Sequence, residues 1–154
     1  YCAATRTESR RKSINTKPRR HGVTQPSRPK IRVLLADDHP MVVDGIRSCL
    51  EVYDHIDVIG TAENGRQAFE KSRADAPDIV LMDINMPEMN GYEFVCAVRK
   101  DDQYKDMRLM MVTTETEMAQ VVKALEAGAD EYVMKPFTKE MIVEKLKIMG
   151  LPVE

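Results

Sequence analysis

Cysteine is scarce in this sequence: there are three, Cys2, Cys49 and Cys96, widely spaced and with no CxxC pair. An odd number of scattered cysteines supports neither a disulfide framework nor a zinc site. Cys49 lies in register with Ile46 and Leu50 on a helical stripe, so we expect a small buried apolar side chain there and not a reactive thiol. This usage is typical of the reducing cytosol, and we expect a cytoplasmic location.

Long apolar runs are absent as well. No stretch approaches the roughly 20 residues that cross a bilayer, and the amino end lacks the signal-peptide pattern of a basic segment followed by an apolar run. These absences argue against a secreted or membrane-spanning protein. A length of 154 residues instead suits one domain of ordinary size.

Acidic side chains are nearly missing from the amino end. Residues 1–30 hold nine basic side chains and one acid, whereas residues 31–154 hold 14 basic and 24 acidic side chains. Ile14 and Val23 are the only large aliphatic residues of the first segment, so burial there cannot offset the entropy of ordering. We therefore predict a disordered basic tail followed by an acidic domain.

The predicted organisation is a tail over residues 1–30, a domain over residues 31–149 and a short carboxyl end over residues 150–154. We interpret the tail as a solvated extension, with an arm for nucleic acid or anionic lipid and an organellar transit peptide as the alternatives. The first methionine is Met41, so the tail could also belong to a fragment or to a misplaced reading-frame start. A start at Met41 would delete the first predicted strand.

Short apolar runs alternate with amphipathic stretches through the rest of the chain. The predicted strands are Ile31–Ala36, Val58–Ala62, Ile79–Met82, Leu109–Val112 and Glu131–Met134. The predicted helices are Met41–Tyr53, Gly65–Ala74, Gly91–Lys100, Glu117–Ala127 and Lys139–Met149, with N-caps at Asn64 and Asn90. Five alternations of strand and helix predict a doubly wound α/β fold, in which helices cover both faces of a five-stranded parallel sheet.

Polar side chains with useful chemistry follow the apolar runs directly. Asp37 and Asp38 follow the first run, Asp83 the third and Thr113 the fourth, and Lys135 comes just after the fifth. In a doubly wound sheet the ligand site lies outside the carboxyl ends of the strands, so we expect these residues to converge. Taken singly, the acids read as turn and helix-cap residues and the lysine as a surface charge. The complete set favours a common site.

Three converging carboxylates repel one another by about 4 kcal/mol per pair at 4 Å and an effective dielectric near 20, so they should recruit a cation. Oxygen ligands of this kind favour Mg²⁺, which commonly uses one or two carboxylates and a phosphoryl oxygen. Lys135 would add a second positive centre. A carboxylate beside a divalent ion, an ammonium and a hydroxyl is equipped to accept a phosphoryl group in line.

The chain resembles the receiver domains of bacterial two-component response regulators (the CheY-like, or flavodoxin-like, fold) from about Lys30 to Met149. The spacing agrees with that family, with 30 residues from Asp83 to Thr113 and 52 from Asp83 to Lys135. The matching segments are Leu34-Leu35-Ala36-Asp37-Asp38-His39, Leu81-Met82-Asp83-Ile84-Asn85-Met86-Pro87, Val112-Thr113 and Lys135-Pro136-Phe137.

The resemblance implies a phosphoacceptor and the residues around it. Asp83 is expected to take a phosphoryl group from a phosphohistidine on a sensor histidine kinase. Asp38 and Asp83 are expected to hold Mg²⁺ through their carboxylates, Asn85 through its backbone carbonyl, and Asp37 largely through water. Lys135 is expected to pair with Asp83 and then with the phosphoryl oxygens.

The same resemblance implies a switch and an output surface. Thr113 is expected to close its hydroxyl on the phosphoryl oxygen, and Tyr132 to be the aromatic switch, with a half-buried strand residue as the alternative for Tyr132. The bond from Lys135 to Pro136 is expected to be cis. The output face is expected on the fourth helix, fifth strand and fifth helix, roughly residues 117–149, where a downstream protein target binds.

Two positions bear on the lifetime of the phosphoryl group. Asn85 lies two residues after Asp83, and Glu115 lies two residues after Thr113. The resemblance identifies them with the pair found in stand-alone chemotaxis regulators, where the phosphoryl group is short-lived. Thr114 stands where the family commonly has a smaller residue, and its branched side chain could hinder the aromatic switch.

Several alternatives stay open. The first half of the domain looks like receivers with a helix-turn-helix output domain and the second half like the chemotaxis type, so the chain is either a regulator that acts alone or a truncated DNA-binding transcriptional regulator. An aspartate-nucleophile phosphatase would need an acidic group two residues after Asp83, where Asn85 stands. A nucleic-acid binder would depend on the basic tail. His39 is assigned to loop packing, because no second histidine stands at ligand spacing.

Overall fold

The computed structural model describes residues 29–152, so the predicted tail falls almost entirely outside the described residues. Five strands alternate with five helices along this part of the chain. The strands are β1 (Ile31–Ala36), β2 (Ile56–Ala62), β3 (Ile79–Asp83), β4 (Arg108–Thr113) and β5 (Glu131–Met134). The helices are α1 (Pro40–Leu50), α2 (Gly65–Asp75), α3 (Gly91–Arg99), α4 (Met118–Ala127) and α5 (Lys139–Ile148), with short 3₁₀ turns over Asp102–Tyr104 and Glu115–Glu117.

The strands form one parallel sheet in the order β2-β1-β3-β4-β5. The order reverses between β1 and β3, because the chain steps outward from β1 to β2 and then returns to the other side of β1. Core residues of α1 and α5 pack on one face of the sheet, and those of α2, α3 and α4 pack on the other. The predicted doubly wound α/β fold is confirmed, and such a fold places its ligand at the carboxyl ends of the two strands that flank the reversal.

Burial along the strands follows their position in the sheet. All five residues of the central strand β3 are buried, and five of six are buried in both β1 and β4. The edge strands are less covered, with two buried residues in β2 and one in β5. The near-continuous apolar runs in the sequence belong to the three inner strands, because only these strands are covered on both faces.

The predicted bounds differ from the structure mainly between the first helix and the second strand. α1 ends at Leu50 instead of Tyr53, and β2 begins two residues earlier than predicted, because Ile56 is buried and pairs with Ile31 of β1. The predicted start of the fourth helix at Glu117 is wrong by one residue, since Glu117 ends the preceding 3₁₀ turn.

The predicted N-caps of two helices are confirmed. Oδ1 of Asn64 accepts a hydrogen bond from the N–H of Gln67 at 2.8 Å. Oδ1 of Asn90 accepts from the N–H of Glu93 at 2.8 Å, and Oε2 of Glu93 accepts in return from the N–H of Asn90 at 3.1 Å. Caps of this kind stabilise a helix by about 1 kcal/mol. They fix the points at which α2 and α3 leave the edge of the sheet.

Cys49 is half-buried, less covered than the buried side chain that was expected, and it packs at the margin of the core between the sheet and α1 and α5. Burial still raises the pKa of its thiol, which disfavours the reactive thiolate.

Over residues 29–152 no helix is long and apolar enough to cross a membrane.

Candidate functional site

Four strands end in polar residues at the same edge of the sheet. Asp83 is the last residue of β3 and Thr113 the last of β4, while Asp37 and Lys135 come directly after β1 and β5. Asp37 and Asp83 are each only 4% exposed, and Thr113 is fully buried. The fold therefore holds two carboxylates and a hydroxyl in its interior, at the edge where the sequence predicted that they would converge.

Lys135 lies between the two buried carboxylates. Its Nζ is 3.3 Å from Oδ2 of Asp37 and 3.8 Å from Oδ1 of Asp83. Its backbone N–H donates to the carbonyl of Thr113 at 2.6 Å, and its bond to Pro136 is cis, as expected. The expected pairing with Asp83 is thus shared with Asp37, which is the nearer partner. One ammonium offsets part of the charge of both acids.

The environment of Asp83 disfavours its charged form. Burial raises the pKa of its carboxyl to about 6, and the negative charge of Asp37 acts in the same direction. The Lys135 ammonium and a hydrogen bond from the N–H of Asn85, at 3.3 Å from Oδ1 of Asp83, lower the pKa of Asp83 and offset part of this rise. The group therefore titrates near neutral pH, so that small changes in nearby charge alter its ionisation.

An acidic pocket surrounds Asp83. Asp37, Asp38, His39 and Asp83 each offer a ligand atom, and these four atoms lie within 4.8 Å of one another. Asp37 and Asp83 are buried, while Asp38 is exposed at the mouth of the pocket. The three carboxylates match the oxygen ligands of Mg²⁺, whereas an imidazole nitrogen is preferred by transition metals. The pocket could therefore bind a divalent metal ion through its acids.

His39 does not pack in a loop as expected, and that assignment is wrong. Its side chain is 67% exposed, and its Nδ1 lies 2.9 Å from Oδ1 of Asp38 and 3.2 Å from Oδ1 of Asp37. The backbone N–H of His39 also donates to Oδ1 of Asp37 at 2.8 Å. The imidazole is held at the rim of the pocket by the acids, because His39 directly follows them and is the N-cap position of α1.

Sequence reasoning missed the contacts that Glu117 makes at this edge. Oε2 of Glu117 accepts hydrogen bonds from the hydroxyl of Thr113 at 3.0 Å and from the N–H of Thr114 at 3.1 Å, and its Oε1 accepts from the side-chain amide of Asn85. Partial burial works against ionisation, but these hydrogen bonds prevail and lower the pKa of Glu117. The pattern Thr114-x-x-Glu117 was the available signal, because it is the sequence of a helix capping box.

The remaining predicted residues lie around this centre. Glu115 is exposed on the 3₁₀ turn after β4, and the side-chain amide of Asn85 donates a hydrogen bond to Glu117 of the same turn. Tyr132 is half-buried in β5, and the ammonium of Lys145 lies 5.3 Å from its ring centroid. The predicted role of each in switching or in phosphoryl lifetime stays a prediction.

Comparison with known proteins gives a family match over most of the chain. The family model described as response regulator receiver domain matches residues 33–147. Chemotaxis protein CheY1 of Helicobacter pylori is 40% identical over 120 residues, which are 77% of this chain and 96% of that protein. Transcriptional regulatory protein MctR of Rhizobium johnstonii is 37% identical over 123 residues, which are 80% of this chain and 56% of that protein.

Solved structures agree with these sequence matches. Chemotaxis response regulator CheY4 of Vibrio cholerae superposes with a TM-score of 0.70 at 33% identity, covering 78% of this chain and 98% of its own. The response regulator domain of Thermotoga maritima CheB superposes with a TM-score of 0.68 at 28% identity, covering 80% of this chain and 99% of its own. The similarity therefore extends over the sheet and its helices as a unit.

Proposed function

We propose, from the premise that this chain belongs to the response regulator receiver domain family, that it is a cytoplasmic phosphoacceptor in a two-component phosphorelay and takes a phosphoryl group from a sensor histidine kinase on Asp83. The observation that carries the proposal is the Asp83 carboxylate itself, which is buried at the carboxyl end of the central strand with the Lys135 ammonium 3.8 Å away. A cation at that distance can stabilise the charge that develops on a transferring phosphoryl group.

The transfer exchanges one phosphorus bond for another. With a pKa of about 6, Asp83 is about nine-tenths ionised at pH 7, so its carboxylate oxygen is available as the nucleophile. That oxygen forms a bond to phosphorus while the bond from phosphorus to the kinase histidine nitrogen breaks, and the imidazole keeps the electron pair and takes up a proton. Attack of water on phosphorus later returns the free carboxylate and inorganic phosphate.

The acidic pocket supports a role for Mg²⁺ in this reaction. Asp38 and Asp83 would hold the ion through their carboxylates, Asn85 through its backbone carbonyl, and Asp37 largely through water. Bound there, Mg²⁺ would neutralise charge on the acids and on the phosphoryl oxygens. Lys135 would keep its ammonium at the same oxygens, since it already lies between Asp37 and Asp83.

The signal would leave through the surface formed by α4, β5 and α5. The hydroxyl of Thr113 would turn to the phosphoryl oxygen and draw its loop inward, and Tyr132 would change its position in response. A downstream protein target would then bind the altered surface. Asn85, two residues after Asp83, and Glu115, two residues after Thr113, would set how long the phosphoryl group lasts.

Labelling with a small phosphodonor tests this function. The parent chain and Asp83→Asn are incubated with acetyl phosphate and Mg²⁺, and intact mass is measured. We expect one acid-stable, base-labile phosphoryl group on the parent and none on the variant. Equal labelling of both would place the acceptor elsewhere, and multiple turnovers of phosphomonoesters would favour a phosphatase instead.

A further inference from the structure

We propose that Glu117 is a positioning residue that holds the Thr113 hydroxyl in the unphosphorylated protein, and that a phosphoryl group on Asp83 must displace its carboxylate to reach that hydroxyl. This inference rests on the proposed function of Asp83. It adds a residue that competes with the phosphoryl group and thereby sets how readily the protein switches.

The hydroxyl of Thr113 has one proton to give. In the structure its Oγ1 lies 3.0 Å from Oε2 of Glu117 and 3.2 Å from the carbonyl oxygen of Thr114. A hydrogen bond to a carboxylate is stronger than one to a neutral carbonyl, so the proton is directed mainly at Glu117. Thr113 is fully buried, which removes water as an alternative partner. The hydroxyl cannot donate to a phosphoryl oxygen until this bond breaks.

Glu117 is itself held in place by several donors. The N–H of Thr114 reaches the same Oε2 at 3.1 Å, and the side-chain amide of Asn85 reaches Oε1. The backbone N–H of Glu117 in turn donates to the carbonyl of Thr114 at 3.1 Å. The carboxylate of Glu117 thus connects the ends of β3 and β4. Asn85 lies two residues after the end of β3, and Thr113 is the last residue of β4.

The charge of Glu117 also acts on the phosphoacceptor. It is among the negative charges that raise the pKa of Asp83, so its field reaches that carboxyl. A phosphoryl group brings a charge of about −1.5 to −2 to the same place and repels Glu117 more strongly than the free carboxylate does. Repulsion and competition for the hydroxyl therefore act together, and both favour release of Glu117 on phosphorylation.

Binding of beryllofluoride tests the competition, since this anion occupies the position of a phosphoryl group on a carboxylate. Its affinity is measured with Mg²⁺ present for the parent, Glu117→Ala and Glu117→Gln. Removing a hydrogen bond to a charged acceptor should tighten binding by about tenfold in Glu117→Ala. Glu117→Gln keeps an acceptor oxygen but no charge, and we expect an intermediate gain of roughly threefold. If Glu117→Ala does not fold, the beryllofluoride affinity of Glu117→Gln alone tests the competition.

A double-mutant cycle separates this role from a merely structural one. In a Thr113→Val background the competing hydroxyl is gone, so the gain from Glu117→Ala should fall to about threefold or less. Glu70→Ala is the matched control, because it removes the same charge from an exposed side chain on α2 and should leave the affinity within about twofold. The amide resonance of Thr114 should shift on beryllofluoride binding in the parent, since its N–H loses Glu117.

The outcomes distinguish this inference from the function on which it rests. A parent chain that binds beryllofluoride no better than Asp83→Asn overturns both. A parent that binds it through Asp83, with Glu117→Ala and Glu117→Gln equal to or weaker than the parent, overturns only the role of Glu117. A gain in Glu117→Ala that is as large in the Thr113→Val background also overturns it, because the hydroxyl would then have no part.

Discussion

The ammonium of Lys135 lies 3.3 Å from Oδ2 of Asp37, two side chains that are 98 residues apart in the sequence. The contact joins the end of β1 to the end of β5, across the two strands that lie between them in the sheet. It also places the cation within 3.8 Å of Asp83. The Lys135 ammonium therefore contacts both buried acids, and it lowers the pKa of Asp83.

Removing the charge of Lys135 should shift the titration of Asp83. The ammonium lowers the pKa of Asp83, so in Lys135→Met the pKa of Asp83 should rise above its present value of about 6. Carboxyl carbon NMR of the metal-free protein measures this pKa directly. Lys100→Met removes the same charge from an exposed position and should not move it. An Asp83 pKa equal to that of the parent would contradict the contact.

The ionisation of Asp83 should cost stability at neutral pH. Its folded-state pKa is raised from 3.8 to about 6, so between these values the folded protein binds more protons than the unfolded chain, and stability falls as pH rises through this window. Asp83→Asn removes the buried charge and should raise the free energy of unfolding at pH 7 by about 1–2 kcal/mol.

Urea denaturation at pH 7 and at pH 4 tests this effect. The gain should largely vanish at pH 4, where the folded-state carboxyl of the parent is already neutral. Asp54→Asn, which alters an exposed acid, serves as the control. A gain of the same size at both pH values would mean that the charge of Asp83 is not the cause.

Divalent metal should stabilise the folded protein through the acidic pocket. The carboxylates of Asp37, Asp38 and Asp83 converge only when the sheet is formed, so binding to the folded state adds about 2.7 kcal/mol at a concentration 100 times the dissociation constant. We expect Mg²⁺ to raise the melting temperature of the parent in proportion to the logarithm of its concentration. Asp38→Asn should weaken this rise, and an unchanged rise would place the ion elsewhere.

Two glycines should respond to alanine in opposite directions. A Cβ on Gly91 would lie 2.8 Å from the backbone carbonyl oxygen of Asp83 and 2.7 Å from Cε of Met111, so Gly91→Ala should destabilise the fold by about 1–3 kcal/mol. A Cβ on Gly45 would meet nothing within 4 Å inside α1, so Gly45→Ala should stabilise by about 0.5–1 kcal/mol. Chemical denaturation of both variants measures the two changes, and a destabilised Gly45→Ala would contradict the open space.

The sequence carried enough information for the fold and for most of the pocket. Asp37, Asp83 and Thr113 follow or end buried strands, and strand ends in a parallel sheet share one edge, so their convergence could be predicted from order alone. The contacts of Glu117 could not be predicted in this way, because they depend on a 3₁₀ turn that brings its side chain to Asn85, 32 residues earlier in the chain. His39 was misjudged because its exposure at the rim is a property of the assembled pocket.

The 3₁₀ turn between β4 and α4 places the start of α4 close to the buried acidic pocket. Only four residues, 114 to 117, separate the buried hydroxyl of Thr113 from the first turn of α4. Glu117, the last of them, touches that hydroxyl and is bonded directly to Met118, where α4 begins. Under the proposed function, phosphorylation of Asp83 would therefore act on the start of α4 through the contact of Glu117 with Thr113.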